Sequence, residues 1–373
     1  MTWLALASLV AWIYLALLHG RFWRAGPVLT PARPARAPSV AAIVPARDEA
    51  AVIADSIGSL LAQDYAGDFR VVLVDDGSED GTGAIARSLP GARLDIIAGT
   101  PRPPGWAGKL WAVQQGVAAA PDADWLLLTD ADIVHDPLHV ATLLAQAERS
   151  GADLVSEMVA LNCTTRAERA LIPAFVYFFQ LLYPFARVNA PRSRVAAAAG
   201  GTILIRRDTL ARAGGIAAIR GALIDDVALA TAVKRAGGRI WLGHSALARS
   251  IRPYPDVAEI WRMIARSAYV QLRHSPLLLA GTILGLALLF VVPPAATLRG
   301  EWVGALAWAV MTATFLPTLA RFGLSPLRAP LLPLAALFYM AATVGSALDH
   351  HRGRGVVWKR RAYTDRQSWG RQA

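Results

Sequence analysis

Two groups of aspartates, each directly after a short apolar run, constrain the fold of this 373-residue chain more than any other feature. Asp75-Asp76 follows Val71–Val74, and Asp130-Ala131-Asp132 follows Trp125–Thr129. A short apolar run bounded by turn residues is typical of a buried parallel strand. In open α/β sheets, ligands bind beyond the carboxyl ends of such strands. The sequence therefore predicts a carboxylate-rich site at one sheet edge, suited to a nucleotide and a hard metal ion.

Residues 40–250 alternate strand and helix patterns, which predicts βαβ units and an α/β fold with a mostly parallel, Rossmann-like sheet. The predicted strands are Val40–Val44, Arg70–Val74, Leu94–Ile97, Trp125–Thr129 and Asp153–Val159. The predicted helices between them are Glu49–Gln63, Gly81–Ser88, Lys109–Ala119 and Pro137–Arg149.

The composition points to a membrane. The hydrophobic fraction is 55% and the charged fraction only 17%, which is unusually apolar for a soluble protein. A net charge of +11 is compatible with nucleic acid or with an anionic lipid surface. Because the arginines flank apolar segments, we expect lipid as the partner and no nucleic acid.

The apolar segments predict membrane helices on both sides of the α/β domain. Residues 1–20 form a predicted transmembrane anchor, and the arginines of the basic Pro/Ala linker 21–39 place its C-terminal side in the cytoplasm. Residues 277–348 contain three further apolar segments, followed by a basic tail, 349–373, that is also expected to be cytoplasmic. One anchor and three full crossings would put that tail outside. We therefore expect one C-terminal segment, with a proline-broken one as the candidate, to be re-entrant or to lie in the membrane plane.

Two further segments are predicted to lie at the membrane surface. Residues 171–188 are rich in aromatic side chains and fit either an interfacial helix or a core helix. Residues 251–276 are amphipathic and basic, which favours an interfacial helix, and Arg266 in this helix is a candidate ligand for a diphosphate.

Six motifs carry candidate chemistry, and each also has a purely structural interpretation. Asp130 and Asp132 are two residues apart on an extended segment, so both carboxylates can face one Mg²⁺ or Mn²⁺, or they can simply end a loop. Lys109 follows a Gly-rich approach to a helix, where a phosphate can bind. The other four are Pro45–Glu49, Asp75–Ser78, Gly200-Gly201-Thr202 and Asp225-Asp226.

Taken together and in this order, these motifs resemble the family 2 glycosyltransferases, which have the GT-A fold, over about Val40–Arg273. Pro103–Trp111 and Leu128–His135 are similar to the narrower group of hopene-associated membrane glycosyltransferases, and Gly355–Tyr363 resembles the end of many membrane members. The Gln-x-x-Arg-Trp motif of many membrane members is replaced here by Met263–Ser267, which weakens the case for processive polymerisation.

The resemblance implies a role for each motif. Asp226, with Asp225 beside it, would be the catalytic base, and Asp132 would hold the metal with Asp130. Gly200, Gly201 and Thr202 would lie near the acceptor. The nucleotide-sugar donor would contact Pro45, Arg47, Glu49, Asp75, Asp76, Lys109, Asp130 and Arg266.

The sequence therefore predicts a metal-dependent, inverting glycosyltransferase with several spans in a bacterial-type inner membrane and a cytoplasmic catalytic domain. It would move one sugar from a nucleotide sugar, with UDP as the expected nucleotide, to the hydroxyl of a hopanoid or related lipid. A polysaccharide or cell-envelope glycan transferase is the alternative enzyme. A non-catalytic membrane scaffold is the alternative of another class.

Overall fold

The computed structural model describes residues 1–24, 26–352, 357–358 and 361–362. Its main feature is an eight-stranded sheet with the order β3-β2-β1-β4-β7-β6-β8-β5. The strands are β1 (Val40–Ala46), β2 (Phe69–Asp75), β3 (Leu94–Ala98), β4 (Trp125–Thr129), β5 (Ile133–His135), β6 (Leu154–Ala160), β7 (Thr202–Arg206) and β8 (Ile240–Ser250). Of the predicted basic tail 349–373, only 349–352 and the two short strands at 357–358 and 361–362 belong to the described residues.

The sheet is mixed, which corrects the prediction of a mostly parallel one. Strands β1, β2, β3 and β4 pair in parallel, as do β6 and β8. Strand β7, however, is antiparallel to β4 and β6, and β5 is antiparallel to β8. Strand direction depends on how the chain returns to the sheet, and a short apolar run does not encode it. Because β7 runs opposite to β4, Gly200 and Gly201 lie at the same edge as the end of β4.

The helices of the α/β domain confirm the predicted alternation, with ends shifted by a few residues. They are α2 (Ile53–Leu61), α3 (Thr82–Arg87), α4 (Gly108–Ala118), α5 (His139–Ser150), α6 (Arg166–Leu182), α7 (Phe185–Val188), α8 (Arg207–Arg212) and α9 (Asp225–Arg235). A 3₁₀ helix at Ile216–Ile219 precedes α9.

The sheet is buried on both faces. Ala41 and Ile43 of β1 pack in one core with α4 and α9, and Val40, Ala42 and Val44 pack in another with α2 and α5. Burial on both faces is the reason that β1 reads as a continuous apolar run and not as an alternating one. The two layers of helices hold the carboxyl ends of β1, β2 and β4 in fixed positions at one edge.

The remaining helices form a third core beside the sheet. They are α1 (Thr2–Leu17), α10 (Val257–Gln271), α11 (Pro276–Leu286), α12 (Val292–Leu298), α13 (Trp302–Arg321) and α14 (Leu332–His351), with a π-helical turn at Ala287–Val291 and a 3₁₀ helix at Pro326–Leu331. Helix α6 packs into this core through Ile172 and Tyr177, both fully buried. The predicted segment 171–188 therefore contributes to a core, as one of its two interpretations expects.

Four helical segments are long and apolar enough to cross a membrane: Arg166–Val188, Pro276–Leu298, Trp302–Arg321 and Pro326–His351. The predicted anchor at 1–20 contains α1, which is apolar but has only 16 residues. At 1.5 Å per residue, α1 is about 24 Å long, against a hydrocarbon layer of about 30 Å. A complete crossing by α1 alone stays a prediction.

Candidate active site

One lysine joins two of the predicted acidic motifs. Lys109 Nζ lies 2.7 Å from Asp130 Oδ1 and 3.0 Å from Asp225 Oδ2. Lys109 is in the first turn of α4, Asp130 follows β4, and Asp225 begins α9, so three elements meet at this point. Burial opposes the charge of Lys109, but the two carboxylates raise its pKa above the ordinary value. The amine is therefore a permanent cation at the carboxyl edge of the sheet.

A second cation joins the other acids. Arg252 follows β8 and donates from Nε to Asp132 Oδ2 at 2.7 Å, and from Nη2 to both Glu49 oxygens at 2.8 and 2.9 Å. The side chains of Asp132 and Glu49 are each 12% exposed, so this ion-pair network is largely shielded from water. It fixes the end of β1 against the turn after β4.

Asp226 lies beside this network, close to the glycine pair. A Cβ atom at Gly200 would be 3.2 Å from Asp226 Oδ2, so the absence of a side chain there leaves room next to the carboxylate. Burial, and then the nearby charge of Asp225, raise the pKa of Asp226 to about 7. A carboxyl group with this pKa can accept a proton near neutral pH. The backbone oxygen of Gly201 accepts from the Thr129 hydroxyl, and Thr202 is fully buried in β7.

A cavity of about 680 Å³ connects the acidic edge with the helical core. Asp130, Asp132 and Asp225 line one end, and α10 and α14 line the other. Arg266 of α10 also lines it and has no ion-pair partner among the described residues, whereas Arg262 pairs with Glu259. The cavity is also lined by Pro45, Glu49, Lys109, Arg252, Asp349 and His350. Asp226 and Gly200 line a small side pocket that shares Lys109, Asp130 and Asp225 with this cavity.

One known protein family matches a large part of the α/β domain. Residues 41–213 match the family model described as Glycosyl transferase family 2. This region is a family 2 glycosyltransferase domain. No curated protein matches the chain.

Two solved structures are similar to this chain to different degrees. A mannosyltransferase from Pyrobaculum calidifontis, solved with GDP-mannose and Mn²⁺, is 22% identical, with a TM-score of 0.58 over 93% of this chain and 98% of that one. Glucosyl-3-phosphoglycerate synthase from Mycobacterium tuberculosis, solved with Mg²⁺ and UDP, is 20% identical, with a TM-score of 0.39 over 61% of this chain and 75% of that one. The first likeness extends over the helices outside the family 2 domain, and it supports the GT-A fold.

Three of the predicted donor residues lie at the ends of β1 and β2. Asp75 Oδ1 accepts from the backbone N–H of Ser78 at 2.9 Å, which is the turn interpretation of this motif. Asp76 is 3% exposed, and the Arg47 guanidinium donates to its backbone oxygen. Their contact with a nucleoside stays a prediction.

The carboxylates of the family 2 domain fit a divalent metal that is shared with a nucleotide. Mg²⁺ commonly uses one or two carboxylates together with phosphate oxygens, and Asp130 and Asp132 supply this donor set at the cavity. The described residues contain no group of three or more His, Cys, Asp or Glu side chains placed to hold a metal ion. Any metal here would therefore need the donor's phosphates, and Asp132 would have to share or release Arg252.

Arg252 is the main residue of this site that the sequence did not reveal. Its two partners precede it by 203 and 120 residues, so no local motif marks it. The other unpredicted cavity residues, Asp349 and His350, belong to the end of α14, which the sequence identified only as apolar and basic.

Proposed function

We propose that this protein transfers one sugar from a nucleotide sugar to the hydroxyl of a membrane lipid. The observation that carries the proposal is the single cavity lined at one end by the acidic edge of the family 2 domain and at the other by α10 and α14. The acidic end suits a charged donor, and α10 adds Trp261, Met263 and Val270 to the lining next to the apolar helical core, which suits a lipid acceptor. A UDP-sugar donor and a hopanoid acceptor follow from the resemblance of Pro103–Trp111 and Leu128–His135.

In this proposal the reaction is a single inverting displacement. Asp226 takes the proton of the acceptor hydroxyl while the acceptor oxygen forms a bond to the anomeric carbon and the bond to the diphosphate breaks. Gly200 leaves space for the acceptor beside Asp226, and Gly201 and Thr202 shape the strand end behind it. Holding both substrates in one enclosed cavity supplies part of the rate enhancement.

The cations of the cavity would stabilise the leaving diphosphate. Lys109 is held in place by Asp130 and Asp225, and Arg266 reaches the cavity without an ion-pair partner among the described residues. A divalent metal held by Asp130 and Asp132 would add Lewis-acid stabilisation of the same charge. Pro45, Arg47, Glu49, Asp75 and Asp76 would surround the nucleoside.

Analysis of membrane lipids by mass tests this function. The full chain is produced in a host that makes hopanoids, beside a control that carries Asp226→Asn. We expect a lipid whose mass has increased by one sugar only with the intact chain. A polysaccharide product without a glycosylated lipid would contradict the proposed acceptor, and identical lipids in both strains would contradict lipid transfer.

A further inference from the structure

A buried chain of four polar side chains lies next to the Asp130–Asp132 turn. Thr129 precedes the turn and His135 follows it, and the Thr129 hydroxyl oxygen is 3.2 Å from His135 Nε2. His135 Nδ1 is 2.9 Å from His139 Nδ1, and His139 Nε2 is 2.5 Å from Glu157 Oε1. All four side chains are buried, with residue exposures of 3% or less. The first contact of this chain therefore ties together the two ends of the turn that carries the predicted metal ligands.

The hydrogen-bond donors in this chain can be assigned by counting protons. A hydroxyl has one proton, and that of Thr129 is donated to the backbone oxygen of Gly201 at 2.8 Å. Thr129 must therefore accept from His135 Nε2–H. Burial and the neighbouring His139 lower the pKa of His135 well below its usual value, so His135 is neutral and its Nδ1 is an acceptor.

The same proton count assigns the hydrogen-bond donors at the Glu157 end of the chain of side chains. His139 must donate from Nδ1 to His135, and one further proton must lie between His139 Nε2 and Glu157 Oε1. The pair then has no net charge, whether the proton belongs to the imidazole or to the carboxyl group. This suits a buried site in which Glu157 Oε2 has no hydrogen-bond partner among the described residues. From His139 through His135 and Thr129 to the backbone oxygen of Gly201, all bonds therefore run in one direction.

We propose that Thr129, His135, His139 and Glu157 act as positioning residues that close the Asp130–Asp132 turn and set its carboxylates for a metal–nucleotide complex. The inference rests on the proposed function, because it gives these two aspartates the role of metal ligands. The hydrogen bond from Thr129 to Gly201 also joins the end of β4 to the residues before β7. It therefore connects the Asp130–Asp132 turn with the glycine pair beside Asp226. Groups that orient metal ligands typically change metal affinity about 10–100-fold when they are removed, and these four residues would act on the aspartates through the backbone of their turn.

The first test is Thr129→Val, which removes the hydroxyl and keeps the shape of the side chain. Mn²⁺ affinity is measured on the full chain in detergent, in the presence of UDP, by electron paramagnetic resonance. We expect Mn²⁺ to bind about 10–100-fold more weakly than in the wild type. Thr209→Val is the matched control, because Thr209 is fully buried in α8 and hydrogen-bonded to Arg212. Its Mn²⁺ affinity should be unchanged, and equal losses in both variants would overturn the positioning role.

The second test concerns the direction of the chain. In Glu157→Gln the amide can donate to His139 Nε2 and preserve every donor, so Mn²⁺ affinity should stay near that of the wild type. Glu157→Leu removes the end of the chain and should weaken Mn²⁺ binding as Thr129→Val does. Equal weakening by Gln and Leu would overturn the assigned direction. Nitrogen-15 NMR of labelled histidine checks the assigned direction in the unaltered protein. We expect the His135 proton on Nε2, and a proton on Nδ1 would contradict the assigned hydrogen bonds.

Asp132→Ala separates this inference from the proposed function. If this variant loses Mn²⁺ binding while Thr129→Val and Glu157→Leu keep it, the positioning role is wrong and the proposed metal site stands. If Asp132→Ala binds Mn²⁺ as the wild type does, the metal role is wrong, and the positioning role fails with it.

Discussion

At the scale of single residues, the acidic motifs have different electrostatic environments. Lys109 forms ion pairs with Asp130 and Asp225, and Arg252 forms ion pairs with Asp132 and Glu49. Asp226 has no such cation in direct contact among the described ion pairs, and its pKa is raised to about 7 by burial and by Asp225. A carboxyl group whose pKa is raised towards neutral pH is characteristic of an acid–base site, and Asp225 is already held by Lys109. This contrast favours Asp226 over Asp225 as the base.

Asp226→Asn should reduce sugar transfer about 10²–10⁴-fold, because the amide cannot take the proton from the acceptor hydroxyl. In the wild type, transfer should increase with pH up to about 7, as the carboxyl group ionises. A folded-state pKa above the unfolded one means that the contribution of Asp226 to stability is lost as the pH rises through about 7. The variant should therefore unfold at a higher temperature than the wild type at pH 8, while it still binds UDP.

Asp208→Asn is the control for this prediction, because the Asp208 side chain is 61% exposed at α8. It should leave the rate, the pH profile and the unfolding temperature unchanged. An Asp226→Asn enzyme with wild-type activity would exclude Asp226 as the base.

Individual residues also show how far the sequence could predict the site. Lys109 was identifiable because it is one of three lysines in an arginine-rich chain and lies in a Gly-rich loop. Gly200 was identifiable as a glycine before an apolar run, although only the folded chain shows Asp226 as its neighbour. Arg252 was not identifiable, because its role depends on two side chains that only the folded sheet brings near it.

At the scale of secondary-structure elements, the sequence predicted the strands of the first half better than those of the second. Strands β1, β2 and β4 are buried on both faces and flanked by turn residues, so their pattern is strong. Strand β5 has three residues, and the apolar pattern of β8 is interrupted by Gly243-His244-Ser245 and ends in Arg249-Ser250. The antiparallel position of β7 depends on pairings with β4 and β6 across 40 residues or more, which local patterns do not record.

Helix α10 connects the cavity with the helical core, and two of its arginines allow a comparison. Arg266 has no ion-pair partner among the described residues, whereas Arg262 Nη2 pairs with Glu259 at 2.6 Å. Arg266→Ala should therefore weaken the binding of UDP more than Arg262→Ala, because only Arg266 has its charge available for the diphosphate. A loss of charge-assisted hydrogen bonds corresponds to about 1.5–3 kcal/mol, or roughly 10–100-fold in affinity.

Isothermal titration of the full chain in detergent, with UDP and Mn²⁺, measures this difference. Arg235→Ala, at the exposed end of α9, is the control for the loss of a positive charge. Equal affinities for the Arg266 and Arg262 variants would show that the ion pair with Glu259 does not decide which arginine meets the nucleotide.

At the scale of the whole molecule, the structure gives a physical basis for the expected position of the tail. Before α14, Arg321 at the end of α13 donates to the backbone oxygen of Ser245 in β8 at 3.3 Å. In the last turn of α14, Asp349 and His350 line the cavity, and the His350 ring stacks on that of His274 with 4.2 Å between centroids. Both ends of the segment that contains α14 therefore lie on the side of the catalytic domain.

We therefore predict that the segment containing α14 enters and leaves the membrane on one side, although it is long and apolar enough to cross. The sequence predicts one re-entrant or in-plane C-terminal segment, and the contacts at the two ends of the α14 segment make α14 the candidate. The proline-containing segment Pro276–Leu298 is helical throughout and fits a crossing. If α1, Pro276–Leu298 and α13 are the crossings, we predict that the end of α14 lies on the same side as the catalytic domain, and that the sequence after it stays there.

Cysteine labelling in intact cells tests this topology. Cys163 is the chain's one cysteine, so Cys163→Ala gives a background for single new cysteines. Arg352→Cys reports on the end of α14, Ser150→Cys on the exposed end of α5, and Arg299→Cys on the exposed turn between α12 and α13. A membrane-impermeant maleimide should label the cysteine at position 299 from outside, and those at 150 and 352 only after permeabilisation. Outside labelling at position 352, with position 150 protected, would make α14 a full crossing and place the tail on the opposite side from the catalytic domain.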